Sequence, residues 1–343
     1  MPTLVCQDFL AAVRYPPVTD PDDHGPVRVV VVGAGVVGLT CAVRLAEAGH
    51  EAHVLARDLP AETTSSVAAA LWYPYRALPQ DRVTAWSART YEVLTELARQ
   101  PATGVLVRDG VELLGPEAPD QPWWRPAVPE LTSVPDPAPG YPRGWRLALP
   151  VAEMDVYLDH LVARLEQAGG TLTRHWLAEL PASGVVVNAS GLASRALAGD
   201  ATLHPVRGQV VKVAQTGVEE WLIESSDEER PLYVVPREHD VVVGGTADAG
   251  SWDLRPNPET ATPILARATA LVPRLRGAEV LAHRVGLRPA RPAVRLEAVP
   301  HPDGESGGVV HCYGHGGAGV TLSWGCADDV LVAVEELLES VRR

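Results

Sequence analysis

The sequence predicts an α/β fold with a β-rich portion set into it, and three observations carry that reading. A run of β-branched residues at 27–32 breaks at Gly33-Ala-Gly-Val-Val-Gly38 and returns as a second apolar strand at 52–55. The same alternation resumes late, with a helical apolar stripe at 151–168 and a buried-type strand at 184–191. The stretches 79–150 and 214–283 interrupt it, the first crowded with prolines and the second holding a hairpin pattern.

The first strand, Val27 to Val32, leads into Gly33, Gly35 and Gly38 in G-x-G-x-x-G spacing. A helix follows, with Val37, Cys41 and Leu45 on one face and Gly49 ending it, before the strand from Ala52 to Leu55. Gly33 permits the tight turn, Gly35 lets the backbone approach a pyrophosphate at the helix N-terminus, and Gly38 lets helix pack on strand. The motif implies a dinucleotide and does not choose between NAD and FAD. An acid is expected on the ribose at the end of the second strand, but Ala56 and Arg57 stand there and Asp58 comes one place later. Thr63, Thr64 and Ser65 suit either a phosphate or their own loop, and Ala68 to Ala70 would admit a flat ring close to the main chain.

Residues 79–150 read as strands and loops, since "VPELTSVPDPAPGYPRG" can form neither a long helix nor a central strand. The helix at 151–168 carries Met154, Leu158, Leu161, Val162 and Leu165, and a strand follows near 171–176. Residues 231–246 read as a hairpin turning around 236–240, and 258–271 as a helix covering its sheet. "VGLRPARPAV" holds Arg288 and Arg291 on a stiffened backbone, a setting for a flat anion met by a guanidinium fork. The chain closes with a strand, a second bare turn at Gly314, Gly316, Gly317 and Gly319, and a long amphipathic helix. His311 and His315 are four apart, but the glycines around them oppose a helix, so no metal site is expected.

Composition excludes several classes. The chain has 343 residues, 46% apolar and 21% charged, as in a soluble globular protein of one or two domains. A net charge of −14 opposes nucleic-acid and anionic-membrane partners, which require clustered positive charge. Lys212 is the only lysine, which leaves Schiff-base chemistry little room. Cys6, Cys41, Cys312 and Cys326 are scattered, with no ligand-like spacing to histidine, and suggest a reducing compartment. No apolar run approaches the roughly 20 residues of a membrane span. A cytoplasmic protein is expected, with residues 1–26 as an extension outside the fold.

Seven ordered stretches, "VVVVGAGVVGLT", "TTSSVAAALWYPY", "VVNASG", "PVRGQVVKV", "YVVPR", "VGLRPARP" and "YGHGGAGVTLSWGCA", resemble the D-amino-acid oxidase family of flavoproteins. The resemblance implies FAD bound by a discontinuous Rossmann-like domain (27–78, 151–213 and 284–343), with an interleaved β-rich substrate-binding domain (79–150 and 214–283). It puts the carboxylate-binding arginine at Arg288, its partner tyrosine at Tyr233, and the carbonyl that receives the substrate amine at Gly317, with Tyr73 also facing substrate. The implied cofactor contacts are Gly33, Ala34, Gly35, Val36, Val37 and Gly38, then Arg57 and Asp58, and the loop Thr63, Thr64 and Ser65. Ala69, Ala70 and Leu71, Trp176, and the turn Gly316, Gly317, Ala318, Gly319, Val320 and Thr321 complete them. Three features depart from the family's mammalian members: the order Arg57-Asp58, the small Ala318, and the lack of a tyrosine-bearing lid in "EEWLIESSDEERPL". The implied reaction converts a neutral D-amino acid and oxygen to a 2-oxo acid, ammonia and hydrogen peroxide, with a homodimer compatible. D-aspartate oxidase, glycine oxidase and a non-catalytic flavin-binding module are the alternatives.

Overall fold

The computed structural model describes residues 26–224, 230–302 and 307–342. The proposed extension, apart from Pro26, and residues 225–229 of the lid comparison lie outside the described residues. In chain order the structure begins with β1 (Arg28–Val32), α1 (Val36–Glu47) and β2 (Glu51–Ala56). The two strands pair in parallel, Val29 with Ala52 and Val31 with Val54, as a crossover through a helix requires. The apolar residues Leu39, Cys41 and Leu45 of α1 are fully buried.

There follow α2 (Gln80–Leu97), β3 (Val105–Leu114), β4 (Thr132–Ala138), β5 (Tyr141–Ala152), α3 (Met154–Gln167), β6 (Thr171–Arg174) and β7 (Gly184–Asn188). α2 corrects the expectation that 79–150 holds only strands and loops. The prolines that suggested it lie outside 80–97, and Val83, Trp86, Thr90, Val93, Leu94 and Leu97 form a buried helical stripe. The proline-rich β4 ends the sheet, where the prolines withhold no inner-ladder donor.

The remainder is α4 (Ser194–Leu197), β8 (His204–Ala214), β9 (Trp221–Glu224), β10 (Leu232–Pro236), β11 (Asp240–Gly244), β12 (Asp248–Ala249), α5 (Pro258–Leu271), β13 (Val280–Pro300), β14 (Gly307–His315) and α6 (Gly319–Arg342). The described strands join in one 14-stranded sheet of order β4-β5-β3-β9-β10-β11-β8-β13-β14-β7-β1-β2-β6, with β12 on β8. From β14 to β6 the pairs are parallel, while from β9 to β14 they are antiparallel. β13 joins the two regimes, because its first half pairs with β8 and its second half with β14. One apolar core lies under α1, α2, α3 and α6, and a second lies between α5 and the antiparallel strands. The expected divisions at 213/214 and 283/284 therefore fall on β8 and within β13, strands that carry the sheet from one core to the other.

Candidate active site

Between the two cores lies a cavity of about 830 Å³, walled by the β1–α1 turn, the 62–75 segment, the start of α6 and the faces of β8, β10 and β13. Its floor at the β1–α1 turn depends on glycine. Gly33 has φ +114°, and a side chain there would stand 2.5 Å from the Ala189 carbonyl oxygen. Gly38 packs against the Gly33 carbonyl oxygen, behind the cavity wall. It thus fills its helix-packing role and does not itself line the cavity. Gly35 faces the cavity, and the amide of Val36 donates to Ser65 Oγ at 3.0 Å. The predicted hydroxyl loop is thereby held at the N-terminus of α1, the end at which backbone amides favour an anion.

Thr64 links this loop to the opposite wall by donating to the Leu287 carbonyl at 3.1 Å. Ala69, Ala70 and Leu71 line the cavity and reach α6 through Tyr73. The Tyr73 amide donates to Thr321 Oγ1, which in turn donates to the Tyr73 carbonyl, both at 3.0 Å. Thr321 therefore spends its hydroxyl inside the wall. Gly316, Gly317, Gly319 and Val320 line the cavity beside it. Ala318 does not: it is fully buried, and its amide closes the turn on the His315 carbonyl at 3.0 Å. Arg57 and Asp58 line the far end, paired with each other at 2.5 Å. Trp176 stands at the rim and is 67% exposed.

Arg288 and Tyr233 meet at the other end. Arg288 on β13 donates from Nη1 to the Thr246 carbonyl at 2.9 Å, and among the described residues no carboxylate forms an ion pair with it. Its guanidinium lies over Gly208 of β8, where an added Cβ would be 2.5 Å from Cζ. Tyr233 lies in the same way over Gly244 and Gly245, with its Oη 2.9 Å from a Cβ built at Gly245. A Cβ at Gly317 would be 3.5 Å from Arg288 Cδ and 2.9 Å from the Tyr75 ring. The three predicted substrate residues, 233, 288 and 317, therefore share one end of the cavity. Tyr73 joins them with its hydroxyl occupied, donating to the buried Glu112 at 2.7 Å.

Tyr75, Gly208, Gly244 and Gly245 were absent from the expected site. The glycines had a signal in the sequence, since glycine inside a strand pattern marks close approach of another group. Arg291 turns away from the cavity to Asp200, with Nε donating at 2.7 Å. Burial would raise the Asp200 carboxyl, but hydrogen bonds from Thr202, Arg291 and Tyr313 outweigh it and hold the group well below the usual carboxylate range.

The two histidines at 311 and 315 part company. His311 Nδ1 sits 3.3 Å from Asn188 Nδ2, whereas the His315 ring faces Cys312. Cys312 and Cys326 flank the β14–α6 turn, and with the distant Cys41 they are all buried and free. The expectation that the cysteines lie apart from histidine is corrected here: α6 folds back along β14 and returns Cys326 to Cys312 and His315.

A mixed α/β sheet whose first crossover carries a glycine cradle, with hydroxyls and a cavity beside it, has the form of a dinucleotide-binding fold. The chain belongs to the FAD-dependent oxidoreductase family, whose model matches residues 28–331, and FAD is its cofactor. It is 51% identical to a D-amino-acid oxidase of Rubrobacter xylanophilus over 88% of this chain and 94% of that one. It is 43% identical to the D-amino-acid oxidase of Streptomyces coelicolor, covering 91% and 98%, and 36% identical to the D-aspartate oxidase of Homo sapiens, covering 92% and 96%. In fold it is similar to the glycine oxidase of Bacillus cereus, with a TM-score of 0.74, 19% identity and coverage of 92% and 98%. Among the described residues no helix is long and apolar enough to cross a membrane.

Proposed function

We propose that this chain catalyses the FAD-dependent oxidative deamination of neutral D-amino acids. The observation that carries the reading is Arg288, a guanidinium held in a cavity wall beside Gly317 and Tyr233 without a carboxylate partner among the described residues. A planar fork matches a substrate carboxylate with two charge-assisted hydrogen bonds, and the Tyr233 hydroxyl adds a third donor. The Gly317 carbonyl takes the substrate amine. Held at both groups, the substrate has little freedom left at its α-carbon, so these residues act by orientation. Bound FAD supplies the hydride acceptor and the route of the electrons to oxygen, with hydrogen peroxide as the reduced product. The imino acid then hydrolyses to a 2-oxo acid and ammonia.

The glycine cradle, the Ser65 loop and the bare turn at 316–319 fit a dinucleotide cofactor; a side chain at Gly33 or Gly38 would collide with backbone. The D-aspartate alternative draws on the relative at 36% identity. It needs a second cation at the pocket: Arg230 is exposed and outside the cavity lining, and Arg237 is not available for that role. It is buried and donates twice to Asp240, at 2.6 and 2.8 Å. A non-catalytic flavin module would have no use for Arg288 and Tyr233 at one end of the cavity. Part of the proposal is a cytoplasmic setting, supported by the three free thiols. Anaerobic mixing of the yellow protein with D- and L-alanine tests the reading. Flavin bleaching with the D enantiomer alone is expected, and bleaching with neither or only with L-alanine overturns it.

A further inference from the structure

The buried cluster at the β14–α6 turn carries chemistry that the oxidase reading does not use. Sulfur and nitrogen donors of Cys312, His315 and Cys326 all lie within 4.8 Å of one another, and Cys312 Sγ is 4.0 Å from His315 Nε2. The three residues are 1%, 4% and 0% exposed. A tetrahedral zinc with bonds of about 2.3 Å to sulfur and about 2.0 Å to nitrogen requires donors roughly 3.5–3.8 Å apart. The observed spacing therefore closes on an ion with a contraction of up to about 1 Å. Buried free cysteines are ordinarily small apolar fillers. What sets this cluster apart is an imidazole whose Nε2 faces a thiol sulfur, with no other side-chain hydrogen bond recorded for the ring among the described residues.

We infer that Cys312, His315 and Cys326 form a binding site for a thiophilic divalent ion, with Zn²⁺ the best match. Two thiolates and a neutral imidazole balance the charge of Zn²⁺, as a buried site demands, whereas Cu⁺ would leave a net negative charge there. Binding releases the two thiol protons and involves no redox change. Cys312 and His315 also line the large cavity, through which an ion can reach them before the flavin fills it. The ligands tie the end of β14 to α6 across the turn that carries Gly316 and Gly317, so the bound ion stiffens that turn without touching substrate. The assignment is independent of which amino acid the enzyme oxidises.

The full chain should be produced in zinc-supplemented medium, purified with its flavin, and analysed for metal by plasma mass spectrometry. One zinc per chain is expected in the wild type, falling to background in Cys312→Ser and in Cys326→Ser. Substoichiometric zinc in the wild type, equal zinc in wild type and variants, or copper taken up in preference overturns the assignment. Should either variant fail to fold, zinc-edge absorption spectroscopy of the wild type decides. A shell with two sulfurs supports the site, and one of nitrogen and oxygen alone overturns it.

Discussion

Arg288 and Tyr233 take their positions from residues with no side chain at all. Gly208 leaves room for the guanidinium, and Gly244 with Gly245 for the phenol ring. For Gly208→Ala we expect retained flavin and a large fall in kcat/KM, because the added methyl displaces the guanidinium; steady-state peroxide release and flavin absorbance check both. Arg288→Lys should keep FAD and lose about tenfold to hundredfold in kcat/KM, as one point charge replaces a fork and a charge-assisted hydrogen bond of about 1.5–3 kcal/mol is lost. A variant with unchanged kcat/KM would remove Arg288 from the site. Tyr233→Phe removes a single hydrogen bond to the carboxylate while Arg288 remains, so a loss of about tenfold, at the low end of the range for Arg288→Lys, is expected in the same assay. Arg288 was legible in the sequence through its proline and glycine frame. The glycines beneath it were not, because their role lies on neighbouring strands whose register no single stretch reveals.

At the scale of elements, crossovers and hairpins were legible because each is local: β1-α1-β2, the β10–β11 hairpin and α5 follow from patterns within 30 residues. α2 was missed because the prolines after residue 100 outweighed a clean helical stripe before it. The length of β13 was hidden as well, since its two halves pair with different strands. α3 supplies a prediction about pH. Burial, aided by the nearby Arg164 and opposed by Glu47, lowers the His160 pKa to about 4. The unfolded chain takes up this proton near the ordinary value of about 6.5, so it binds more protons than the folded chain between the two values. Stability from this group is therefore fully present above pH 6.5 and is lost as pH falls to about 4, by on the order of 3 kcal/mol. Denaturant melts across that window should show a steeper decline for wild type than for His160→Gln. Parallel declines would mean that His160 is hydrated in the native state.

Over the whole molecule, the joining of two cores by one sheet decides which substrates can enter. Arg288 lies in the cavity wall formed by the faces of β8, β10 and β13, and the same wall includes Leu71, Tyr73, Tyr75, Ile223 and Leu287. Ala318, implied as a cofactor contact, stands behind the wall, and the five residues named are uncharged. Of the two cations that could have rescued an acidic substrate, Arg237 is held in its bidentate pair with Asp240, and Arg230 is exposed and stands outside the cavity lining. With Arg288 engaged by the α-carboxylate, a second carboxylate would enter without a partner. Its desolvation costs several kcal/mol, on the order of a thousandfold in rate at about 4 kcal/mol. D-alanine, D-valine, D-methionine and D-phenylalanine should therefore each surpass D-aspartate by two to three orders of magnitude in kcat/KM at that estimated cost, measured by peroxide release. If D-aspartate leads the series, a cation outside this account reaches the pocket, and the D-aspartate reading replaces the neutral one.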